Sequence, residues 1–276
     1  MNEETTHKTK TVAETLAQAL YDNNVTHIYG VPGGGSSLLL IEAAAQLGIK
    51  FVLTRTETGA MIMASATAEL TGSVGVALTT KGPGVASAAN GSACALLDRT
   101  PVILITDGFT EQQSDFITHQ FIDQKALLAP VTKGHSRLEE NQVMSEISRL
   151  IDLAMSPPCG PVHIELTGAT AKKEVLELQT QKTLDERALN ADNLNDFAKA
   201  NELINNASRP VIVIGLEARS VENAEKTREL VDNTDCPVLT TYKAKGVISD
   251  HHPQYAGIFT GGMAESACIS KADLII

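Results

Sequence analysis

The sequence has few basic residues, no long hydrophobic run and no paired cysteines. Lys and Arg number 22 against 33 Asp and Glu, which gives a net charge of −11 and argues against nucleic acid or an anionic membrane as partner. No hydrophobic run reaches the ~18 residues that indicate a membrane span. The polar start MNEETTHKTK lacks the apolar core of a secretory signal. These absences predict a cytoplasmic protein that binds neither nucleic acid nor membranes.

The four cysteines are far apart in the sequence, at Cys94, Cys159, Cys236 and Cys268. They form no CxxC pair and have no histidine at metal-ligand spacing. Buried, reduced thiols are the prediction for a protein of this kind. The sequence therefore predicts no metal site in this chain.

Helical and strand patterns alternate between residues 11 and 165. TVAETLAQALYDNN places Val12, Leu16, Ala19 and Leu20 on one helical face. Short apolar segments typical of strands separate the helical patterns, among them THIYGV, KFVLT, SVGVALTT and RTPVILIT. This alternation predicts a parallel α/β sheet with helices on both faces.

Three details of this first region are further predictions. Ser36 or Ser37 is a plausible N-cap for the helix SSLLLIEAAAQLG. The segment LLAPVTKG is predicted to be a strand. The irregular segment DGFTEQQSDFITHQF, between two strand patterns, is predicted to be a functional loop.

A change in composition divides the chain. Residues 1–171 are predicted to form one domain, residues 172–192 a polar and charged linker, and residues 193–276 a second, Rossmann-like α/β domain. The last segment, ADLII, is a strand pattern without a following element. We therefore expect the second domain to be incomplete.

Three turns follow predicted strands of the first domain, where open α/β sheets bind ligands. The first is GVPGGG, residues 30–35, whose glycines let a ligand approach the backbone. The second is RTETGA, residues 55–60, where small apolar neighbours would partly desolvate Glu57 and suit it to proton exchange. The third is TTKGPG, residues 79–84, a rigid turn that could form one side of a binding site for a flat ring. Each also has a structural interpretation: tight turns for the glycines, and a stabilised helix N-terminus for Glu57.

Taken together, in this order and spacing, the three turns and the following DRTPVILIT resemble the pyrimidine domain of the thiamine diphosphate-dependent decarboxylases and carboligases, the acetolactate synthase-like group. The resemblance covers residues 11–170 and extends through SRPVIVIG, CPVLTTYKAKGVISDHHPQYAG and KADLII to the family's central domain. It implies a thiamine diphosphate-binding fold. It also implies decarboxylation of a 2-oxo acid followed by ligation of the resulting aldehyde-level unit.

The resemblance assigns roles to individual residues. Glu57 matches the catalytic acid that hydrogen-bonds a pyrimidine nitrogen of the cofactor, which favours the imino form of the exocyclic amine that deprotonates the thiazolium carbon. The cofactor-binding backbone that it implies comprises Val31, Pro32, Gly33, Thr80, Gly82, Pro83 and Gly84.

Further residues are matched on the substrate side. His119-Gln120 stands where acetolactate synthases carry Phe-Gln, which makes Gln120 a candidate catalytic residue and His119 a candidate pocket residue. Lys133 matches a lysine at the pocket entrance. For all three, a surface or structural role is the alternative interpretation.

The family binds the cofactor diphosphate through Mg²⁺ with a GDG motif and a downstream Asn, and this sequence contains no GDG. Thr106-Asp107-Gly108-Phe109 is only a poor match. We therefore expect Mg²⁺ to be bound only with a further domain, and the chain to be inactive alone. The resemblance implies a homodimer or tetramer, either with or without a separate diphosphate-binding subunit. Whether FAD binds in the central domain is left open.

Two other functions remain alternatives. One is a non-catalytic binding or regulatory protein with the same fold, against which the presence of Glu57 argues. The other is a nucleotide-binding protein that uses Gly33–Gly35 for phosphate; it lacks a GxGxxG pattern followed by a ribose-binding acid.

Overall fold

A computed structural model describes residues 9–175, 193–262 and 265–276 of the chain. These residues fall into two compact units, the first within residues 9–175 and the second from residue 193 onward. Both units are built on parallel sheets, which confirms the predicted α/β fold class. Within the described part of the chain, no helix is long and apolar enough to cross a membrane.

The first unit alternates helices and strands along its whole length. Its helices are α1 (Val12–Asp22), α2 (Ser36–Gln46), α3 (Glu57–Thr71), α4 (Pro83–Leu97), α5 (Glu111–Ser114), α6 (Gln124–Leu128), α7 (Val143–Met155) and α8 (Gly168–Ala171). Its strands are β1 (His27–Val31), β2 (Lys50–Leu53), β3 (Gly75–Thr79), β4 (Val102–Gly108), β5 (His135–Arg137) and β6 (Val162–Thr167).

The six strands form one parallel sheet in the order β2-β1-β3-β4-β6-β5. The chain moves outward in one direction from β1 to β2 and in the other from β3 to β4. The crevice between the carboxyl ends of β1 and β3 is therefore the topological switch point, where open α/β sheets bind ligands. Thr80, which follows β3, donates its backbone N–H to Val31 of β1 at 3.2 Å, so the two strand ends are held together there.

Apolar side chains cover both faces of this sheet. On one face, α1, α2 and α7 contribute the largest buried cluster, which includes Leu16, Leu40 and Leu150. On the other face, α3 and α4 pack through small residues: a methyl group on Gly91 would lie 2.4 Å from Met61 Cβ. Strands β3, β4 and β6 are buried over their whole length, as expected for a sheet covered on both sides.

Local signals in the sequence account for several helix ends. Thr11 and Glu14 form a reciprocal capping box at the start of α1, with Thr11 N donating to Glu14 Oε2 at 2.7 Å. Thr56 caps α3 by accepting from Gly59 N at 3.1 Å. Gly72, with φ of 71°, ends α3 in the left-handed conformation that glycine favours.

Two local predictions are wrong. Residue Gly35 is the N-cap of α2, and Ser36 and Ser37 lie inside the helix because a buried carboxyl group binds their side chains. LLAPVTKG is not a strand: it forms the end of α6 and a 3-10 turn at Ala129–Val131, and the strand β5 begins only at His135. Pro130 lies in that turn and has no N–H to donate to a sheet.

The second unit has its own parallel sheet, in the order β10-β7-β8-β9. Its strands are β7 (Pro210–Ile214), β8 (Val238–Thr240), β9 (Tyr255–Ile258) and β10 (Leu274–Ile275), and its helices are α9 (Asn193–Asn206), α10 (Val221–Asp232) and α11 (Ser266–Ile269). Its core contains Ile212, Val231 and Val238.

The predicted linker, residues 172–192, lies mostly outside the described residues. Its first part is described and contacts the first unit: Glu174 forms an antiparallel bridge with Thr11, and Val12 N donates to Lys173 O at 2.9 Å. Residues 172–175 therefore extend the first unit at the start of α1.

Candidate functional site

The three turns predicted from the sequence meet at the switch point, around the side chain of Thr80. A methyl group at Gly33 would lie 2.6 Å from Thr80 Oγ1, and one at Gly84 would lie 2.8 Å from Thr80 Cγ2 and 3.4 Å from Glu57 Oε1. Residues far apart in sequence therefore line one small space. We call Gly33, Glu57, Thr80 and Gly84 the switch-point cluster.

The turn after β1, from Val31 through Pro32 to Gly35, can hold only glycine at its third position. A methyl group at Gly33 would lie 2.0 Å from Asp107 Oδ2, whereas one at Gly34 would meet nothing within 4 Å. Atoms do not approach to 2.0 Å without a bond, so a side chain at residue 33 would displace either Asp107 or the turn. The backbone at residue 33 is therefore closely packed, and the neighbouring Gly34 is not.

The turn after β3 is held in place by its backbone conformation. Gly82 has φ of 64° and is the N-cap of α4, which begins with Pro83 as its first residue. A methyl group on Gly82 would lie 2.1 Å from the carbonyl oxygen of Gln120. Both the positive φ and this close approach require glycine. The turn thus presents bare backbone beside the switch-point cluster.

Glu57 is the first residue of α3 and is partly buried. The helix N-terminus favours a negative charge at this position. The starts of α3 and α4 are linked, because Thr58 Oγ1 donates to the carbonyl oxygen of Ser87 at 2.5 Å. The Glu57 carboxyl group is therefore presented from a helix that is fixed against the turn carrying Gly84.

Two buried polar atoms at this edge of the sheet have no hydrogen-bond partner: Thr79 Oγ1 and Asp107 Oδ2. Each contacts a turn glycine, since the added methyl would lie 2.4 Å from Thr79 Oγ1 at Gly84 and 2.0 Å from Asp107 Oδ2 at Gly33. Unsatisfied buried polar atoms are rare in folded proteins and frequently mark functional sites.

Sequence analysis missed two residues at this site. Asp107, at the end of β4, is only 1% exposed; its Oδ1 accepts hydrogen bonds from Ser37 N at 2.8 Å and Ser37 Oγ at 2.9 Å. Gln124, the first residue of α6, is 6% exposed, and its Oε1 accepts from Gly82 N at 2.9 Å. A charged residue at the end of an otherwise apolar strand was the available signal for Asp107. Gln124 left no such signal.

The substrate-side candidates Gln120 and His119 differ in exposure and contacts. Gln120 has φ of 62°, and its carbonyl oxygen contacts Gly82, so its backbone lies at the turn after β3. His119 is exposed. Phe121, next along the chain, packs on Phe109 with ring centroids 5.8 Å apart, and the ammonium group of Lys81 lies 4.2 Å from the Phe109 centroid.

Lys133 does not lie with the other candidates. It precedes β5, at the opposite edge of the sheet, where its backbone N–H bonds to Pro161 O. Its ammonium group donates to the carbonyl oxygens of Leu153 and, at 2.7 Å, of Ser156, both at the C-terminus of α7. Burial lowers the pKa of this ammonium group. In this position Lys133 caps a helix and precedes β5 instead of following a strand. Its place at a pocket entrance stays a prediction.

A second buried polar group lies beside β4. His163, on β6, is fully buried, and its Nε2 is 2.9 Å from Thr106 Oγ1. Burial lowers the pKa of His163 to about 3, so the imidazole is neutral in the folded protein. Two residues further along β6, Glu165 pairs with Arg137 of β5, with 2.5 Å between Glu165 Oε1 and Arg137 Nη2.

The switch-point cluster fits a flat, uncharged ring with polar edges better than it fits a diphosphate. It offers backbone, a carboxyl group and hydroxyl groups. No set of three His, Cys, Asp or Glu residues in the described ranges could hold a metal ion. The cluster thus offers bare backbone and hydrogen-bonding groups to a ligand at the switch point.

Comparison with known proteins bears on both units. Residues 10–127 match the profile of the N-terminal TPP binding domain of the thiamine pyrophosphate enzymes, and residues 197–276 match that of their central domain. The chain belongs to the thiamine pyrophosphate enzyme family. The first match contains the three turns of the switch point, and the resemblance found in the sequence is thereby confirmed.

Curated relatives of this family member are enzymes. An acetolactate synthase of Arthrospira platensis is 32% identical over 91% of this chain and 45% of its own length. A probable acetolactate synthase large subunit of Methanococcus aeolicus is 29% identical over 96% of this chain and 45% of its own. A 2-hydroxyacyl-CoA lyase of Arabidopsis thaliana is 28% identical over 95% of this chain and 46% of its own. The chain spans about half the length of the curated relatives it matches.

Proposed function

We propose that the first unit of this chain holds the pyrimidine ring of thiamine diphosphate in an acetolactate synthase-like enzyme. The observation that carries this proposal is the convergence of Glu57 with Gly33 and Gly84 around Thr80 at the topological switch point. Three separate turns supply these residues. Family membership and the names of the relatives support the same cofactor.

Each part of the cluster has a task in this proposal. The glycine turns let the ring lie directly against backbone, since a side chain at Gly33 or Gly84 would occupy that space. Glu57 hydrogen-bonds a ring nitrogen through its carboxyl group and holds a proton there. The partly buried start of α3 presents that carboxyl group beside Gly84. Gln120 and His119 lie in the loop that passes the turn at Gly82 and would face the substrate.

The reaction that we propose is decarboxylation of a 2-oxo acid, with loss of CO₂, followed by ligation of the resulting aldehyde-level unit to an acceptor. Bound thiamine diphosphate would supply the electron sink that this chemistry requires. The ring-binding residues are on this chain, and Mg²⁺ with the diphosphate would be held by a further domain or by a second polypeptide. On this proposal the chain alone is inactive. Assembly as a homodimer or tetramer is part of the same proposal.

The decisive experiment is calorimetric titration of thiamine diphosphate with Mg²⁺ into the purified chain, alone and mixed with a polypeptide that carries the family's diphosphate-binding domain. We expect tight binding only in the mixture, accompanied by CO₂ release from a 2-oxo acid. No binding under either condition would overturn the proposal and favour a non-catalytic binding or regulatory protein. Tight binding by the chain alone would contradict the expected division of the cofactor site.

A further inference from the structure

Two of the three turns at the switch point, the one at Gly33 and the one at Gly82, are connected to the same residue. In each case one intervening side chain makes the connection. Gly33 N donates to Ser37 Oγ at 3.2 Å, and Ser37 Oγ donates to Asp107 Oδ1 at 2.9 Å. Gly82 N donates to Gln124 Oε1 at 2.9 Å, and Gln124 Nε2 donates to the carbonyl oxygen of Asp107 at 3.1 Å. Both chains of hydrogen bonds begin at a glycine amide and end at Asp107.

We propose that Asp107 and Gln124 are the positioning residues that hold the turns at Gly33 and Gly82 at a fixed separation. This inference deepens the proposed function, because it rests on these turns being the ring-binding surface. It names residues for which neither the family resemblance nor the cofactor chemistry gives a role. Neither residue needs to touch the cofactor.

The burial of these side chains supports a positioning role. Asp107 is 1% exposed, Ser37 1% and Gln124 6%. A polar side chain without a charge partner loses hydration on burial, and its hydrogen bonds must compensate for that loss. For Gln124, the described bonds run to the turn at Gly82 and to the end of β4. Burying it therefore stabilises the relative placement of these two segments.

Asp107 is anchored through both its side chain and its main chain. Its Oδ1 binds the first turn of α2 through the hydroxyl group of Ser36 at 2.5 Å as well as through Ser37. Its backbone lies in β4, paired with Leu166 of β6 in the centre of the sheet. A strand that is buried over its whole length thus provides the common reference for both turns.

The position of Asp107 Oδ2 gives this arrangement a steric component. This oxygen has no hydrogen-bond partner and lies against Gly33. Asp107 therefore restrains the turn in two ways: it draws the turn in through Ser37, and its other oxygen limits the approach. The hydrogen bonds through Ser37 limit how far Gly33 can move away from β4, and Asp107 Oδ2 limits how closely it can approach.

The test is amide hydrogen exchange of the full chain, followed residue by residue at Gly33 and Gly82. Gln124→Met keeps the length of the side chain and removes its polar atoms; we expect exchange at Gly82 to rise about tenfold and that at Gly33 to stay within twofold. Ser37→Ala should give the reverse pattern. Asp107→Ala should likewise raise exchange at Gly33 and leave that at Gly82 within twofold, because it removes the carboxylate that accepts from Ser37 and keeps the carbonyl oxygen that accepts from Gln124. Loss of one buried hydrogen bond supports a factor of about this size. Asp107→Asn, which retains an acceptor at Oδ1, should restore protection at Gly33.

Gln113→Ala is the matched control, because Gln113 lies in the same segment between β4 and β5 and its described side-chain hydrogen bond runs to Thr110. It should leave exchange at both glycines unchanged. Equal exchange in Gln124→Met and the unchanged chain, or a uniform rise across the unit, would overturn the positioning role of Gln124. If Asp107→Ala leaves Gly33 protected, the turn after β1 is not held through the Asp107 side chain.

Cofactor titration separates this inference from the proposed function. In the mixture with a diphosphate-binding polypeptide, we expect Gln124→Met and Asp107→Ala to weaken thiamine diphosphate binding about tenfold, with Asp107→Asn within about threefold of the unchanged chain. If the unchanged chain binds and both variants bind equally well, the positioning inference fails. If the unchanged chain does not bind while exchange changes as expected, the proposed function fails and the positioning of the turns stands.

Discussion

The two edges of the six-stranded sheet use buried polar groups for different purposes. At the carboxyl edge, Thr79 Oγ1 and Asp107 Oδ2 are buried without partners, and glycines leave backbone uncovered. At the amino edge, Lys133 directs its ammonium group to carbonyl oxygens at the end of α7. The carboxyl edge has buried polar atoms without partners where a ligand is expected. At the amino edge, the lysine satisfies carbonyl oxygens at the end of a helix.

This difference predicts that cofactor binding and the free energy of unfolding respond to changes at different edges of the sheet. Changes at the carboxyl edge should act mainly on cofactor binding and turnover, because its polar groups are arranged around an open crevice. Changes at the amino edge should act on the free energy of unfolding alone. Four substitutions test whether the two quantities separate in this way.

The largest effect is expected for Glu57→Gln. The amide cannot hold a proton at the ring nitrogen as the carboxyl group does, so we expect 2-oxo acid turnover by the assembled enzyme to fall by at least about 100-fold. The free energy of unfolding should change by less than about 1 kcal/mol, the size of a lost charge–helix interaction. Steady-state kinetics and urea titration measure the two. Glu42→Gln, on an exposed position of α2, is the control, and unchanged turnover in Glu57→Gln would remove the assigned role.

The next effect is expected for Gly33→Ala, with Gly34→Ala as its matched control. The new methyl group would lie 2.0 Å from Asp107 Oδ2 at residue 33 and would meet nothing within 4 Å at residue 34. We expect Gly33→Ala to lower the free energy of unfolding by about 1–3 kcal/mol and to weaken cofactor binding more than tenfold, since the turn must move. Gly34→Ala should change neither. Equal behaviour of the two variants in urea titration and calorimetry would show that the turn is loosely packed.

Strands and turns could be predicted from the sequence because their signals are local. Apolar segments give the strands, and the glycine turns and Glu57 follow strand ends whose position in a parallel sheet is known in advance. The pairing of Asp107 with Ser37, 70 residues away, has no local signal. The same contact explains the incorrect N-cap of α2: Ser37 has the composition of a cap, but Asp107 engages its hydroxyl group inside the helix.

Lys133 shows a second reason why side-chain positions could not all be predicted from the sequence. Its role in the family was transferred by its place in the sequence, on the assumption that a strand precedes it. The apolar residues before it form α6 and a 3-10 turn instead, so Lys133 precedes a strand rather than following one. A shift of one element moves a side chain from the carboxyl edge to the amino edge. Sequence position alone therefore could not place it.

Lys133→Met tests the amino edge directly. The variant keeps the apolar part of the side chain and removes the ammonium group, which leaves the carbonyl oxygens of Leu153 and Ser156 without this donor. We expect the free energy of unfolding to fall by about 1–2 kcal/mol and cofactor affinity to stay within twofold. Lys50→Met, at an exposed position of β2, should change neither. A large loss of affinity in Lys133→Met with unchanged stability would return this lysine to the cofactor site.

The smallest effect is expected for His163, which lies between the two edges and depends on pH. Burial lowers the pKa of His163 to about 3 in the folded chain, whereas an unfolded histidine titrates near 6.5. Between these values the unfolded chain binds more protons, so stability is full above about pH 6.5 and falls as the pH decreases toward 3. From pH 7 to pH 5.5 this residue alone should lower the free energy of unfolding by about 1 kcal/mol.

His163→Leu isolates that contribution, because leucine does not titrate. The variant loses the hydrogen bond to Thr106 and should be less stable at pH 7, but its stability should vary less between pH 7 and pH 5.5 than that of the unchanged chain, by the same ~1 kcal/mol. Urea titrations at the two pH values measure the difference. Parallel pH dependence in both proteins would mean that His163 takes up a proton in the folded state, so that β4 and β6 would accommodate a charge where burial favours a neutral ring.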